Sequence, residues 1–122
     1  AVMEGVAYNI RQCVDLFVSI GGQIDEVRIA EGGARVPRWC QIIADVVGRP
    51  VSVLAEFDAS ALGAAMLAAS GTTGEPLPAV ASRTVRLGTR IQPDPLRGRA
   101  YDEGFRRFCA IAGREVVDRQ DH

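Results

Sequence analysis

Two adjacent glycines, Gly32 and Gly33, stand between a strand-like and a helix-like segment within residues 29–39. In open α/β sheets, ligands bind in the crevice beyond the carboxyl ends of the strands. Glycines there allow a positive φ and remove Cβ atoms, so a flat ring or a sugar can lie against the backbone. Backbone N–H groups and the positive end of the next helix would then face the ligand. The segment predicts a ligand-binding turn; the alternative is an ordinary tight strand-to-helix turn.

The helix after the glycines carries further residues that could do chemistry. Trp39 could stack on a base, but a Trp one turn into an amphipathic helix is more typical of core packing. Gln41 and Asp45 lie four residues apart on a polar face, which predicts a solvated or hydrogen-bonded pair. Cys40 is interpreted as packing. Asp58 or Ser60 is expected to cap an alanine-rich helix, so Asp58 is interpreted as an N-cap and not as a base. No catalytic residue is predicted in this chain.

Histidine and cysteine chemistry is limited by number and position. The single histidine is His122, the last residue, so a Ser-His-Asp or Cys-His mechanism within this chain is excluded. The three cysteines, Cys13, Cys40 and Cys109, are widely spaced and form no C-x-x-C pair. That pattern argues against a zinc site and a disulfide framework. We therefore predict no metal ligands here and a reducing, cytoplasmic environment.

Length and charge narrow the classes of partner. The chain has 122 residues, which fits one domain, and 48% of them are apolar, which is enough for a core. Fourteen basic residues, all arginine, and 15 acidic ones give a net charge of −1, which argues against a nucleic-acid or anionic-membrane surface. No apolar run approaches the ~20 residues that span a bilayer. Acidic neighbours surround the local basic groups, which predicts a solvated helix surface. These groups are Arg97, Arg99, Arg106 and Arg107.

Elements on both sides would position the glycine pair. A first helix is expected to end at the left-handed stop of residues 21–22, and a strand follows over residues 25–30. A second helix is expected from Pro37 to Val47, ended by Gly48. Apolar residues at three- and four-residue steps predict the buried stripes. They are Met3, Val6, Ile10, Val14 and Phe17 in the first helix, and Trp39, Ile42, Ile43, Val46 and Val47 in the second.

The second half of the chain contains weaker patterns. We expect a strand at residues 51–54, a helix at 59–69, a loop at 71–78 and a weak extended stretch at 85–91. The helix at 59–69 is rich in Ala and Gly, so it should press closely against a sheet or another helix. A final helix follows the Pro93–Pro95 break and ends at Gly113. Its expected stripe is Tyr101, Phe105, Phe108 and Ala112.

The order of these elements predicts an α/β fold with parallel strands joined by crossover helices. Two parallel strands are too few for an independent sheet, and parallel sheets are normally covered on both faces. The chain also opens within a helical pattern that no capping residue precedes. We therefore expect an incomplete sheet in a piece of a longer protein.

Residues 31–71, EGGARVPRWCQIIADVVGRPVSVLAEFDASALGAAMLAASG, closely resemble the C-terminal domain of FGGY-family carbohydrate kinases. The shared features are a glycine-rich turn, a helix start like Ser-Pro-Leu-Trp, Gln, Ala-Asp, Gly-Arg-Pro-Val and Ala-Leu-Gly-Ala-Ala. AVMEGVAYNIR looks like the family's preceding helix, and IQPDPLRGRAYDEGFRRF like its Pro-Asp-Pro and final helix. The resemblance implies an RNase H-like domain of the actin-like ATPase superfamily. Residues 1–122 would be its C-terminal part, without the N-terminal sugar-binding and catalytic domain.

The resemblance also implies a function, the transfer of the γ-phosphoryl group of MgATP to a hydroxyl of a xylulose- or ribulose-like sugar. The family's catalytic aspartate, sugar site and most triphosphate contacts lie outside this chain. Two positions depart from the family pattern: Glu31 replaces Gly, Ser or Asp, and Val36 replaces a Ser at the helix N-cap. The adenosine-binding turn corresponds to Gly32, Gly33, Ala34 and Arg35.

The implied partners are ATP or ADP with Mg²⁺, a sugar held mainly by the absent domain, and the rest of the same kinase chain. The alternative is a stand-alone nucleotide-binding or interaction module whose exposed strand edge recruits a partner. Prepared alone, the 122-residue chain is expected to lack kinase activity. It is also expected to form a homo-oligomer or to be poorly soluble, because its strand edge is unpaired.

Overall fold

The fold is described from a computed structural model that covers residues 2–55 and 58–113. Within these ranges the chain forms six helices and three strands. The helices are α1 (Val2–Ser19), α2 (Glu31–Ala34), α3 (Pro37–Val47), α4 (Ala59–Thr73), α5 (Leu77–Thr84) and α6 (Pro95–Ile111). The strands are β1 (Val27–Ile29), β2 (Val51–Leu54) and β3 (Leu87–Ile91). His122 lies outside the described residues.

The sheet is mixed rather than parallel throughout. β1 and β2 are parallel, with Val27 opposite Val51, as the predicted crossover through α3 requires. β3 lies on the other side of β2 and runs antiparallel to it, with Ile91 opposite Val51 and Leu87 opposite Leu54. The prediction of parallel strands alone is therefore wrong. Two helices, not one, separate β2 from β3, so the chain returns to the sheet at the end where β2 finishes.

The two helices between β2 and β3 correct the predicted loop at residues 71–78. α4 continues through Gly71 and ends at Gly74, which has a φ of 72°. α5 begins three residues later and accepts Pro78 at its second position, where the helix needs no N–H donor. Val80 of α5 is 2% exposed and holds the segment in place. Glycine and proline therefore mark helix ends here, not a continuous loop.

α4 does not make the close approach that its small residues predicted. It packs on α5, but none of its residues is fully buried. A Cβ at Gly63 would meet no atom within 4 Å. Of the two predicted N-caps, Asp58 is the one found, since its carboxylate accepts a hydrogen bond from the Ala61 N–H at 2.8 Å, whereas Ser60 lies inside the helix. The start of the helix is set by a hydrogen bond within its first turn. Its burial depends on other segments, and among the described residues none covers it fully.

The core lies where α3 packs against α1, α6 and the sheet. α3 has its predicted limits: Pro37 is in the first turn, and Gly48 ends the helix with a φ of 67°. Phe105 of α6 is buried as expected, while Ala112 is exposed, and Gly113 follows with a φ of 62°. The buried apolar cluster comprises Ala7, Tyr8, Val14, Cys40, Ile43, Ala44, Val46, Val47, Val51, Phe105 and Cys109.

α1 buries only part of the predicted apolar stripe: Val14 belongs to the core cluster and Ile10 packs against it. Met3, Val6 and Phe17 are each almost half exposed, so their predicted burial is wrong. The buried face also includes Arg11, whose Nη1 lies 2.6 Å from Oδ1 of Asp102 in α6. The Arg11 guanidinium also lies 4.1 Å from the centre of the Phe105 ring.

Candidate functional site

The predicted ligand-binding segment lies at the carboxyl end of β1, immediately before α3. The sequence predicted a tight turn with positive φ at these glycines, and this prediction is wrong. Both glycines belong to the one-turn helix α2. The described glycines with positive φ are Gly21, Gly48, Gly74 and Gly113. Gly32 and Gly33 therefore need another physical reason to be glycine, and the two positions differ in what surrounds them.

Gly32 faces open space, whereas Gly33 lies against an aromatic ring. A Cβ added at Gly32 would meet no atom within 4 Å, apart from its own helix and chain neighbours. At Gly33, a Cβ would lie 3.2 Å from Nε1 and 3.4 Å from Cδ1 of Trp39. The first distance is shorter than ordinary van der Waals contact. Gly33 thus allows the indole to approach the backbone, while nothing described explains the glycine at Gly32.

Cys40 fastens α2 to α3 beneath this segment. Its thiol is fully buried, and burial raises the pKa of Cys40, so the thiol keeps its proton and can donate. The Sγ atom lies 3.7 Å from the Gly33 carbonyl oxygen and 3.8 Å from that of Ala34. This confirms the prediction that Cys40 is a packing residue.

The junction between α2 and α3 is made by backbone groups. The Arg35 N–H donates to the Gly32 carbonyl at 3.3 Å, and the Val36 N–H donates to the Gly33 carbonyl at the same distance. Val36 is the N-cap of α3 and, as predicted, forms no side-chain capping bond. The Arg35 side chain is exposed. The segment therefore presents backbone and one cation, but no hydroxyl from Val36.

Asp45 joins α3 to the start of α6, a link that the sequence did not reveal. Its carboxylate is 3% exposed and accepts hydrogen bonds from Gln41 Nε2 at 2.8 Å and from the Asp94 N–H at 2.7 Å. Arg97 Nε lies 3.0 Å from its second oxygen, while the rest of the Arg97 side chain is exposed, as the predicted solvated helix surface requires. The Gln41–Asp45 pair is hydrogen-bonded, as predicted. The Pro-Asp-Pro run was the available signal, because Asp94 also caps α6.

A second polar cluster connects β1 to β2. Ser52, 1% exposed, donates its hydroxyl to Glu26 Oε2 at 2.7 Å, and Arg28 Nε lies 2.9 Å from Oε1. The Ser52 hydrogen bond, assisted by Arg28, lowers the pKa of Glu26. The carboxylate is therefore charged at neutral pH, and both of its oxygens are engaged. This cluster is interpreted as a link within the sheet.

The described part of the chain has no arrangement suited to a metal ion or a bilayer. Among residues 2–55 and 58–113, no three His, Cys, Asp or Glu side chains gather as a metal site would require. In the same ranges, no helix combines the length and apolar character needed to cross a membrane. The described groups of the site, which are backbone groups and the exposed Arg35, can bind and orient a ligand.

Comparison with known proteins gives first the class and then the family. The fold matches that of a xylulose kinase from Rhodospirillum rubrum with a TM-score of 0.77 and 37% identity, over 93% of this chain and 23% of that one. It is the fold of sugar kinases of the actin-like ATPase type. Residues 1–72 match the FGGY family of carbohydrate kinases, C-terminal domain. The chain belongs to this family.

Two sequence relatives agree with that assignment. Xylulose kinase from Haemophilus influenzae is 40% identical over 68 residues, which are 56% of this chain and 14% of the relative. Ribulokinase from Mycolicibacterium smegmatis is 37% identical over 92 residues, 75% of this chain and 16% of the relative. The chain thus spans less than a quarter of the length of these kinases.

Proposed function

We propose that these residues are the C-terminal part of an ATP-dependent carbohydrate kinase. It would transfer the γ-phosphoryl group of MgATP to a hydroxyl of a pentulose such as xylulose or ribulose. In this proposal α2 and its flank provide the adenosine side of the active-site cleft. The residues assigned to the nucleotide are Gly32, Gly33, Ala34 and Arg35. Family membership supports the reaction class, and the names of the relatives support the pentulose.

The observation that carries the nucleotide role is the glycine at position 32. Alanine is preferred over glycine inside a helix by up to about 1 kcal/mol. Gly32 has no positive φ to require a glycine, and a Cβ there would meet nothing within 4 Å. A ligand that lies directly on the backbone is a physical reason to exclude a side chain from such a position.

The surroundings of Gly32 suit a nucleoside. α2 follows the carboxyl end of β1, in the region where α/β sheets bind ligands. The exposed Arg35 guanidinium next to it would attract an anionic ligand. Bound MgATP would supply the phosphoryl group, and these residues would hold the nucleoside so that this group is aligned with the sugar. The family resemblance implies that Mg²⁺ would be held by other parts of the kinase.

The test is the variant Gly32→Ala in the complete kinase that contains this chain. We expect KM for ATP to rise by about tenfold, equivalent to ~1.4 kcal/mol of binding, because the new methyl group occupies the space of the ligand. KM for the sugar should not change. Gly5→Ala is the matched control, since Gly5 also lies in a helix and a Cβ there meets nothing within 4 Å. If Gly32→Ala leaves KM for ATP at the control value, the assignment of the nucleotide site is wrong.

A further inference from the structure

We propose that Trp39 is a positioning residue for the nucleotide: its indole ring sets where α2 lies relative to α3. This inference rests on the proposed function of α2. It does not require Trp39 to touch the nucleotide. The sole tryptophan of this chain would instead support, from one side, the short helix whose other side receives the ligand.

The first observation is the close contact between the indole and Gly33. A Cβ built on Gly33 would lie 3.2 Å from Trp39 Nε1, which is tighter than ordinary van der Waals contact, so the indole would have to shift by a few tenths of an ångström. Since Gly33 has no positive φ, the indole contact is the physical reason that the structure offers for a glycine at position 33. The ring edge therefore limits how near α2 can come to α3.

The second observation is that α2 is also held by Cys40, the residue next to Trp39. The Cys40 thiol lies within 3.8 Å of the Gly33 and Ala34 carbonyl oxygens and draws α2 toward α3. The indole opposes closer approach, while the thiol opposes separation. Together with the backbone hydrogen bonds of Arg35 and Val36, they hold a helix only four residues long, which could not keep its own shape.

The third observation is that Trp39 is itself fixed and that Gly32 is independent of it. The indole is half buried and packs against the core cluster around α3, so its position follows that of the core. Gly32 faces open space, without the indole contact that its neighbour makes. Changes at Trp39 and at Gly33 should therefore interact with each other, whereas changes at Trp39 and at Gly32 should not.

The experiment is a pair of double-mutant cycles in the complete kinase, with KM for ATP and KM for the sugar measured separately. Trp39→Ala and Gly33→Ala should each raise KM for ATP by about tenfold, since small displacements of a positioning element weaken alignment strongly. KM for the sugar should stay constant. In Gly33→Ala/Trp39→Ala, the added methyl group enters the space left by the indole, so it should add less than twofold to the effect of Trp39→Ala.

The second cycle combines Trp39→Ala with Gly32→Ala. Here the two effects on KM for ATP should multiply, because the methyl group at position 32 acts on the ligand directly. Trp39→Phe, which keeps an aromatic ring against the core, should stay within threefold of the parent KM and so guards against a trivial loss of folding. Thermal denaturation of each variant separates loss of position from loss of structure.

The outcomes distinguish the two proposals. If Gly32→Ala weakens ATP binding but the Gly33 and Trp39 effects multiply, the positioning role is wrong and the nucleotide site stands. If Trp39→Ala raises both KM values equally, or changes only the melting temperature, Trp39 is structural and the inference is overturned. If Gly32→Ala has no effect on KM for ATP, the proposed nucleotide site itself is wrong, and the positioning role is overturned with it.

Discussion

Neutralising the buried carboxylate of Asp45 should lower the stability of the fold more than neutralising the neighbouring Asp94. It is 3% exposed and accepts bonds from Gln41, from the Asp94 N–H and from Arg97. Asp45→Asn turns one oxygen into a donor that faces these donors, so we expect a loss of about 2–4 kcal/mol in the free energy of unfolding. Urea denaturation of the chain would measure it.

The control for this prediction is Asp94→Asn. Asn caps helices as well as Asp does, so the bond from Asp94 Oδ1 to the Leu96 N–H should survive. Arg97 loses only a half-exposed ion pair, which is worth less than about 1 kcal/mol. Equal losses in the two variants would contradict the special position of Asp45.

The pKa of Glu26, and with it the pH dependence of the stability that Glu26 contributes, should be set mainly by Ser52. The Ser52 hydroxyl and, next, Arg28 hold the pKa of Glu26 below its ordinary value of 4.5. The folded state is therefore favoured above that value, and this contribution is lost as pH falls through the lowered pKa. Ser52→Ala should raise the pKa of Glu26, measured by NMR titration of its carboxyl carbon. Arg28→Gln should raise it less, and an unchanged pKa in Ser52→Ala would contradict the assigned cause.

At the scale of elements, replacing a glycine near the turn between α4 and α5 should change the stability of this region in a direction that depends on which glycine is replaced. Gly71 lies within α4, and a Cβ there meets nothing within 4 Å, so Gly71→Ala should stabilise the helix by about 0.5–1 kcal/mol. A Cβ at Gly74 also meets nothing within 4 Å, but Gly74 has a φ of 72°. Gly74→Ala should therefore destabilise the turn by about 1 kcal/mol. Hydrogen exchange of α4 amides reports both effects. Shifts of the same sign would contradict this account of the turn.

The helices also show why element limits were easier to predict than element surroundings. α3 was placed correctly from Pro37 and Gly48, because each acts through its own backbone. The buried face of α1 was predicted only in part, because the partners Asp102 and Phe105 of Arg11 lie about ninety residues away. Apolar residues at helical spacing indicate a helix. Which side of that helix is buried can change when a charged side chain finds a partner far away in the sequence.

At the scale of the whole molecule, the isolated 122-residue chain should self-associate. β1 is an edge strand of the described sheet, and α1 exposes Val2, Met3 and Val6. An open edge and a row of apolar side chains promote association. Size-exclusion chromatography with light scattering should show a dimer or larger species, and Val6→Glu should reduce it. Leu96→Glu, an exposed position on α6, is the control; a stable monomer of the parent chain would contradict the prediction.

The candidate site was predictable in location but not in geometry. Residues 32–35 were placed between a strand and a helix from glycine and proline spacing, and they lie there. The tight turn was wrong because four residues with no proline among them can also form one helical turn. Trp39 lies only six residues from Gly33, but its packing against that glycine depends on how α2 folds over α3, which spacing does not encode.

The sequence by itself determined the family, the start and end of α3, the caps at Asp58 and Gly48, and the position of the glycine pair. These features follow from residues that act on their own backbone or on neighbours within one helical turn. Only the tertiary structure decided the direction of β3, the buried face of α1, the Asp45 link to α6 and the reason for glycine at position 33. Most of these depend on contacts between segments far apart in the chain. The energies of these contacts depend on which groups come together in the folded molecule, and residue type and spacing alone do not specify which groups do so.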